Sequence, residues 1–237
     1  MVTQARKERE RLEREDQILA HALEMLQQSG YLGLNMDRIA ARMEYSKGTI
    51  YQHFRNKEEI ILALANRALE KRVDMFRRAA TWSGRPRERM AAIGAAAESF
   101  VEKYPHHFTV EQIVRCASIW EKTSEERRRI METCESQCLQ IVSGIVRDGL
   151  SSGELQLPED RSPEDLVFGL WSMSWGAYTI LTTSETLSEN GITDPVLALR
   201  HNMHEMLDGY GWEPLSEVLD YNSVMDQVKA GFEREQS

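Results

Sequence analysis

Ser46-Lys47-Gly48-Thr49-Ile50-Tyr51-Gln52-His53-Phe54 has the make-up of a short helix with one buried face and one polar face. Ser46 can accept a hydrogen bond from a free backbone N–H, which suits it to the N-cap. At 100° per residue, Ile50 and Phe54 share a face that can anchor the helix to a core. Gly48, Thr49 and Gln52 lie opposite, with Lys47 and Tyr51 on one flank and His53 on the other. That face holds donors, an amide able to read a base edge, a cation and no bulky aliphatic. Glycine inside a helix costs about 1 kcal/mol against alanine. At Gly48 the return is close approach of the backbone to something large. A polar helix N-terminus of this kind suits a phosphate-lined groove.

The residues before and after extend the pattern. Asn35 is placed to cap a helix over 36–43, where Met36, Ile39, Ala40 and Met43 follow i, i+3, i+4, i+7 spacing. Glu44-Tyr45 forms the turn, and the Ser46 helix completes a helix-turn-helix. Asn56-Lys57-Glu58-Glu59 predicts a capping box with Glu59 at N3, opening a long apolar helix from Ile60. From Ile18 through Ile61 the chain resembles the DNA-binding domain of the tetracycline-repressor (TetR) family of bacterial regulators. Ile39-Ala40, Ser46 to Tyr51, His53-Phe54 and Lys57-Glu58-Glu59 carry the likeness. It departs from the family at the turn, where a glycine is usual and this chain has Glu44. The resemblance implies DNA contacts at Asn35, Met36, Ser46, Lys47, Gly48, Thr49, Tyr51, Gln52, His53 and Lys57. Lys47, Tyr51 and Lys57 would hold phosphates, Thr49 and Gln52 would face bases, and Gly48 would allow the approach.

The chain has 237 residues, 41% of them apolar and 28% charged, as in an ordinary soluble globular protein. Its net charge of −9 argues against a protein that coats nucleic acid indiscriminately. Residues 1–60 balance, with 10 basic and 10 acidic side chains, so the excess lies beyond them. A neutral reading head on an acidic body fits a specific DNA binder whose second domain has another task. No secretory leader is expected, because Arg6 to Asp16 is almost wholly charged with no apolar run behind it. Leu166 to Ser184 lacks charge for 19 residues, but its hydroxyls and glycines favour a buried or interface helix over a membrane span. Cys116, Cys134 and Cys138 are an odd number without a disulfide-framework spacing. A reduced, cytoplasmic protein is expected.

Everything else reads as helix. The charged run Arg6 to Arg11 is a solvated helix extension or a DNA-contacting arm, and the solvated face is favoured. Gly30 stops the helix that carries Ile18, Ala22, Met25 and Leu26. The helix from Asn56 reaches Arg78 and ends before Ser83-Gly84-Arg85-Pro86. An Ala-rich helix over 90–104 stops at Pro105, and a shorter segment runs on to Trp120. Thr123-Ser124-Glu125-Glu126 reads as a capping box for a helix carrying Ile130 to Ile145. Ser162-Pro163 and Asp194-Pro195 start helices 163–184 and 195–208, and a last pair occupies about 214–234. The expected fold is all-α. A three-helix DNA-binding domain spans 1–60, and a helical ligand-binding and dimerisation domain spans 61–237.

In the resembled family the two Pro-started helices dimerise as a four-helix bundle. Gly169, Ser172 and Gly176 would allow close approach, while Leu199, Met203 and Met206 would supply apolar area. A homodimer also suits a palindromic double-stranded operator with half-sites about one turn, ~34 Å, apart. The family's small-molecule pocket would draw on Phe108, Trp120, Trp171, Trp175 and Tyr178, although such aromatics are most often core. The effector stays unnamed, beyond being small and largely apolar.

Other constellations are weaker. His201-x-x-His204 with Glu205 shares a helix face but lacks a third or fourth ligand, and His106-His107 reads as a loop pair. Cys134 and Cys138 fall on an apolar stripe, where cysteine acts as a small hydrophobe. No metal, cofactor or catalytic motif is expected, and the chain does not read as an enzyme. The reading is a dimeric, ligand-released repressor. Its alternatives are the same head with redox or metal sensing, and a helical protein–protein adaptor.

Overall fold

A computed structural model describes residues 2–234. Among them are eleven helices and no strand. In chain order they are α1 (Val2–Gly33), α2 (Met36–Arg42), α3 (Lys47–His53), α4 (Lys57–Ala80), α5 (Pro86–Lys103), α6 (Pro105–Val114), α7 (Ala117–Trp120), α8 (Glu125–Ser151), α9 (Pro163–Thr183), α10 (Pro195–Gly209) and α11 (Tyr221–Arg234). The all-α expectation holds. They form two compact units. Unit 1 takes residues 1–70 and 104–134, and unit 2 takes 71–103 and 135–237. The chain therefore enters each unit twice, and α4 and α8 contribute turns to both.

Local chemistry sets the helix limits. Asn35 Oδ1 accepts the N–H groups of Asp37 and Arg38, and Ser46 Oγ accepts that of Thr49 at 3.1 Å. Ser162 and Asp165 form a full capping box ahead of α9, with Pro163 just inside. Asp194 accepts the Leu197 N–H ahead of α10. Gly30, at φ 62°, interrupts α1 as its position predicted. The charged run at the start of α1 is helical and exposed, with Arg6–Glu10 and Arg11–Glu8 pairs along it.

Three local expectations change. Asn56 Oδ1 does take the Glu59 N–H at 2.8 Å, but the Glu59 carboxylate turns to Ser124 and Arg127 in place of closing the box. Thr123 donates its hydroxyl to Trp120 O, so the box ahead of α8 does not form. The pair expected over 214–234 is one helix. Residues 213–220 are turns, because Ser216 is tied back to Asp208 and Asp220 caps the backbone at Asn222 and Ser223.

In unit 1, Ile18, Ala22, Met25, Ile39, Ile50, Phe54, Ile61 and Leu64 are all buried. In unit 2, α11 lies along α5 closely enough that a Cβ on Gly94 would stand 3.2 Å from Met225 Cε. The Trp212 ring leaves even less room at Gly149, where a Cβ would come within 2.9 Å. Among the described residues, no helix is long and apolar enough to cross a membrane.

Glu44 is the one non-glycine residue with positive φ (56°) among the described residues. The left-handed region costs an L-residue about 1–2 kcal/mol. Glu44→Gly is expected to raise stability by about 1 kcal/mol, read from the urea midpoint. A lower midpoint would show that the carboxylate makes contacts that offset its conformation.

Candidate nucleic-acid interface

The interface is built on α3, and its position follows from what the helix buries. Ile50 is fully buried and Phe54, its C-cap residue, is 1% exposed. With those two side chains inward, Ser46, Lys47, Gly48, Tyr51 and Gln52 are left exposed and Thr49 half-buried. A Cβ on Gly48 would meet nothing nearer than Ser46 Oγ at 3.7 Å, so the backbone there is open to a large partner. The Ser46 and Thr49 hydroxyls lie 2.9 Å apart.

Lys47 is paired with Asp37 of α2 at 2.5 Å. The pair is exposed, so an incoming phosphate has only a screened contact to displace. Lys57 stands 4.1 Å from the Tyr31 ring centroid, at the first residue of α4. His53 is half-buried, and burial pushes its imidazole below the ordinary value, against the attraction of Glu15. Met36 is buried in the core of α2 while Asn35 is exposed beside it. Thus α3 and the Asn35 cap carry the exposed polar groups of the set.

Such an arrangement is a helix-turn-helix presenting a two-turn reading helix. Residues 18–64 match the family model of bacterial regulatory proteins of the tetR family. Residues 18–64 carry the DNA-binding domain of that family. It is similar to the fatty acid metabolism regulator protein of Bacillus subtilis, 24% identical over 181 residues that span 73% of this chain and 91% of that protein. The HTH-type transcriptional activator FasR of Mycolicibacterium smegmatis is 37% identical over 90 residues, 38% of this chain and 41% of the relative. Two solved structures share the fold. A TetR/AcrR-family regulator from Thermobifida fusca has a TM-score of 0.63 at 23% identity, covering 84% of this chain and 98% of that one. FadR from Bacillus subtilis in complex with stearoyl-CoA has a TM-score of 0.58 at 20% identity, covering 91% and 97%. The two relatives are transcriptional regulators, and the solved structures share the all-helical fold.

The aromatic set expected around a ligand is divided between the units. Phe108 and Trp120 belong to unit 1, and Trp171, Trp175 and Tyr178 to unit 2. Phe108 and Tyr178 are buried, and the tryptophans are half-buried. Burial, with the Glu98 and Glu102 charges, pushes the Tyr178 phenol well above its ordinary range.

Of the residues expected at a dimer interface, several pack within their own chain. Leu199 is buried. Gly169 receives the Met206 Cε, where a Cβ would be only 2.8 Å away. Met203 lines a small cavity with Met90, Gly94 and Met225. Ser172 is exposed and Gly176 half-buried. Exposed apolar surface on these helices comes instead from Phe168 (63%), Ile180 (52%) and Leu197 (38%), which the spacing argument passed over.

The sequence reading also missed an ionic cluster in unit 2. Arg200 of α10 grips Glu98 of α5 with two hydrogen bonds of 2.8 Å and reaches Asp226 of α11 at 2.9 Å. Lys229 bridges Glu98 and Glu102. Burial pulls the Glu98 carboxyl upward, but the hydrogen bonds from Arg200 and Lys229 outweigh it and hold it below the ordinary range. A glutamate following Ala95-Ala96-Ala97 on an otherwise apolar helix face was the available signal.

His201 is exposed and His204 buried; His106 is exposed and His107 half-buried. Among the described residues, no group of three or more His, Cys, Asp or Glu is placed to hold a metal ion. None of the three cysteines is in a disulfide; Cys116 is exposed and Cys134 buried.

Proposed function

We propose that this regulator is a homodimeric repressor that binds a palindromic operator through residues 1–60 and is released by a long-chain acyl-CoA bound within 61–237. The exposed polar face of α3, standing on buried Ile50 and Phe54, carries the DNA part of the reading. The effector class is supported by the likeness to a fatty acid metabolism regulator and to a structure holding stearoyl-CoA. The exposed Phe168, Ile180 and Leu197 on α9 and α10 support pairing of two copies there. Trp171, Trp175 and Tyr178, all in unit 2, are the side chains assigned to the apolar part of the ligand. Release follows from linkage. A ligand that prefers a dimer with wrongly spaced reading helices weakens DNA binding, and DNA weakens the ligand by the same factor.

Selection from a random DNA pool, then titration of the winner with and without stearoyl-CoA, tests the whole reading. A palindrome with steep salt dependence, released by stearoyl-CoA and not by free coenzyme A, is the expected result. A folded dimer that enriches no sequence would overturn it. Within the head, Gln52→Ala is expected to alter sequence preference at about 1–3 kcal/mol. Lys47→Ala should weaken binding to every duplex alike and flatten the salt slope by about 1. Equal losses on all sequences for both variants would refute this division between base and phosphate contacts.

A further inference from the structure

We infer that Arg127, in the first turn of α8, positions the recognition helix, so that the reading head is completed by residues outside 18–64. The inference rests on the operator-binding reading above.

At seven residues α3 is too short to hold its own geometry, since isolated helices below about 12–15 residues are marginal in water. Within the helix only Ile50 is buried. One buried anchor, with only the exposed Lys47–Asp37 pair beside it, fixes where the helix sits but holds its swivel weakly. Phe54 is the second anchor, and the Phe54 ring lies beneath the Arg127 guanidinium, with Cζ 4.7 Å from the ring centroid. The same guanidinium donates to Glu15 of α1 at 2.8 Å and pairs with Glu59 of α4 at 3.0 Å. One rigid planar group therefore touches α1, the end of α3 and α4 together.

Arg127 is itself held in place from both sides. Its carbonyl accepts Asn66 Nδ2 at 3.0 Å. Just before it, the Ser124 N–H and hydroxyl donate to Glu59, and Lys122 O accepts Asn56 Nδ2 at 3.1 Å. Lys122 also meets Glu58 at 3.3 Å, where the Tyr31 hydroxyl donates as well. Thus residues 122–127 make six hydrogen bonds or ion pairs to residues 56–66 and one to α1.

The side chains of Glu59, Glu15 and Arg127 are 5%, 12% and 20% exposed. A pair this buried adds little net stability over apolar residues of the same shape, and its value lies in fixing one arrangement. Here the arrangement is the swivel of α3. Gln52 stands two residues before Phe54, and a bond from its amide to a base edge tolerates only a few tenths of an ångström.

Arg127→Ala would take the cation from Glu59 and leave Glu15 only Arg11, so Arg127→Lys is the informative variant, keeping the cation while losing the fork and the planar contact. Two readouts are compared with the parent: affinity for the selected operator and for a scrambled duplex, and hydrogen exchange along the full chain. Operator affinity is expected to fall roughly tenfold with scrambled binding unchanged. Amides 50–54 should exchange faster, with α5 and α11 as in the parent. Glu15→Gln should move both readouts the same way by less. A purely structural role would instead lower both duplex affinities alike and speed exchange across unit 1. That outcome, or Arg127→Lys matching the parent, overturns the proposal. Should the parent enrich no DNA, the operator-binding reading fails, and exchange at 50–54 alone decides for or against Arg127.

Discussion

Arg87→Ala is expected to destabilise unit 2 by about 3–5 kcal/mol, the range for breaking a buried ion pair by removing one partner. The Arg87 side chain is fully buried at the start of α5. Its guanidinium donates to three backbone carbonyls, those of Trp212, Pro214 and His204. It also donates to Asp208 and to the Ser216 hydroxyl, and lies 4.7 Å from the Tyr221 ring centroid. Residues 210–220 have no helix of their own, and this one side chain donates to two of their carbonyls and to the Ser216 hydroxyl. Alanine would leave the Trp212 carbonyl without the Arg87 donor and take the cation from Asp208, which would keep the Ser216 N–H. Asp208 sits below its ordinary pKa, with hydrogen bonds from Arg87 and Ser216 outweighing burial, and the loss of Arg87 would release it. Urea unfolding followed by far-UV circular dichroism measures the effect. Arg87→Met combined with Asp208→Leu should cost less than Arg87→Ala alone, because both charges leave together. If Arg87→Ala costs under about 1 kcal/mol, water satisfies the carbonyls and the hub is dispensable.

Arg87, Glu98 and Arg127 mark where sequence reading stopped. The caps at Asn35, Ser46, Ser162 and Asp194 were legible because each bonds a backbone N–H two or three residues away. Their chemistry and geometry are both local. The exposed face of α3 was legible for the same reason, as it follows from the spacing of Ile50 and Phe54. Arg127 meets Glu15 and Glu59, Arg87 meets residues 204–216, and Glu98 meets Arg200 and Lys229, all from distant parts of the chain. On a helical wheel each such charge reads as solvated surface, since nothing nearby in sequence names its partner. Glu59 shows how a local rule can lose to a distant one. Its spacing from Asn56 suits a capping box, yet a cation and two donors at 124–127 draw the carboxylate away. The interleaving of the two units escaped for a related reason, because helix periodicity carries no record of which unit a given turn packs into.

The second large effect concerns acid. The His204 ring is 9% exposed, stacks on Tyr221 at 5.3 Å between centroids, and has no hydrogen-bond partner at either nitrogen. Burial, then the charge of Arg87, pushes its pKa down to about 4, while Asp208 opposes the shift and His201 and Arg200 add to it slightly. The unfolded chain binds this proton near the ordinary 6.5. Between about pH 4 and 6.5 the unfolded state is therefore protonated at His204 and the folded state is not, so stability falls as the pH is lowered across that window. At 1.36 kcal/mol per unit the loss approaches about 3 kcal/mol, complete once the pH passes below the folded value. Glu98 then adds to it. Its carboxyl is held below the ordinary 4.5, so the stability it contributes is present above that value and drains away beneath it. The melting temperature of the parent should accordingly drop steeply from pH 6.5 to 4. His204→Phe keeps a flat ring against Tyr221 and removes the proton site, so its curve should be shallow above pH 4.5 and join the parent's fall only below it. Parallel curves for the two proteins through the upper window would place the acid sensitivity elsewhere, and would mean that the folded state accommodates a protonated His204 at little cost.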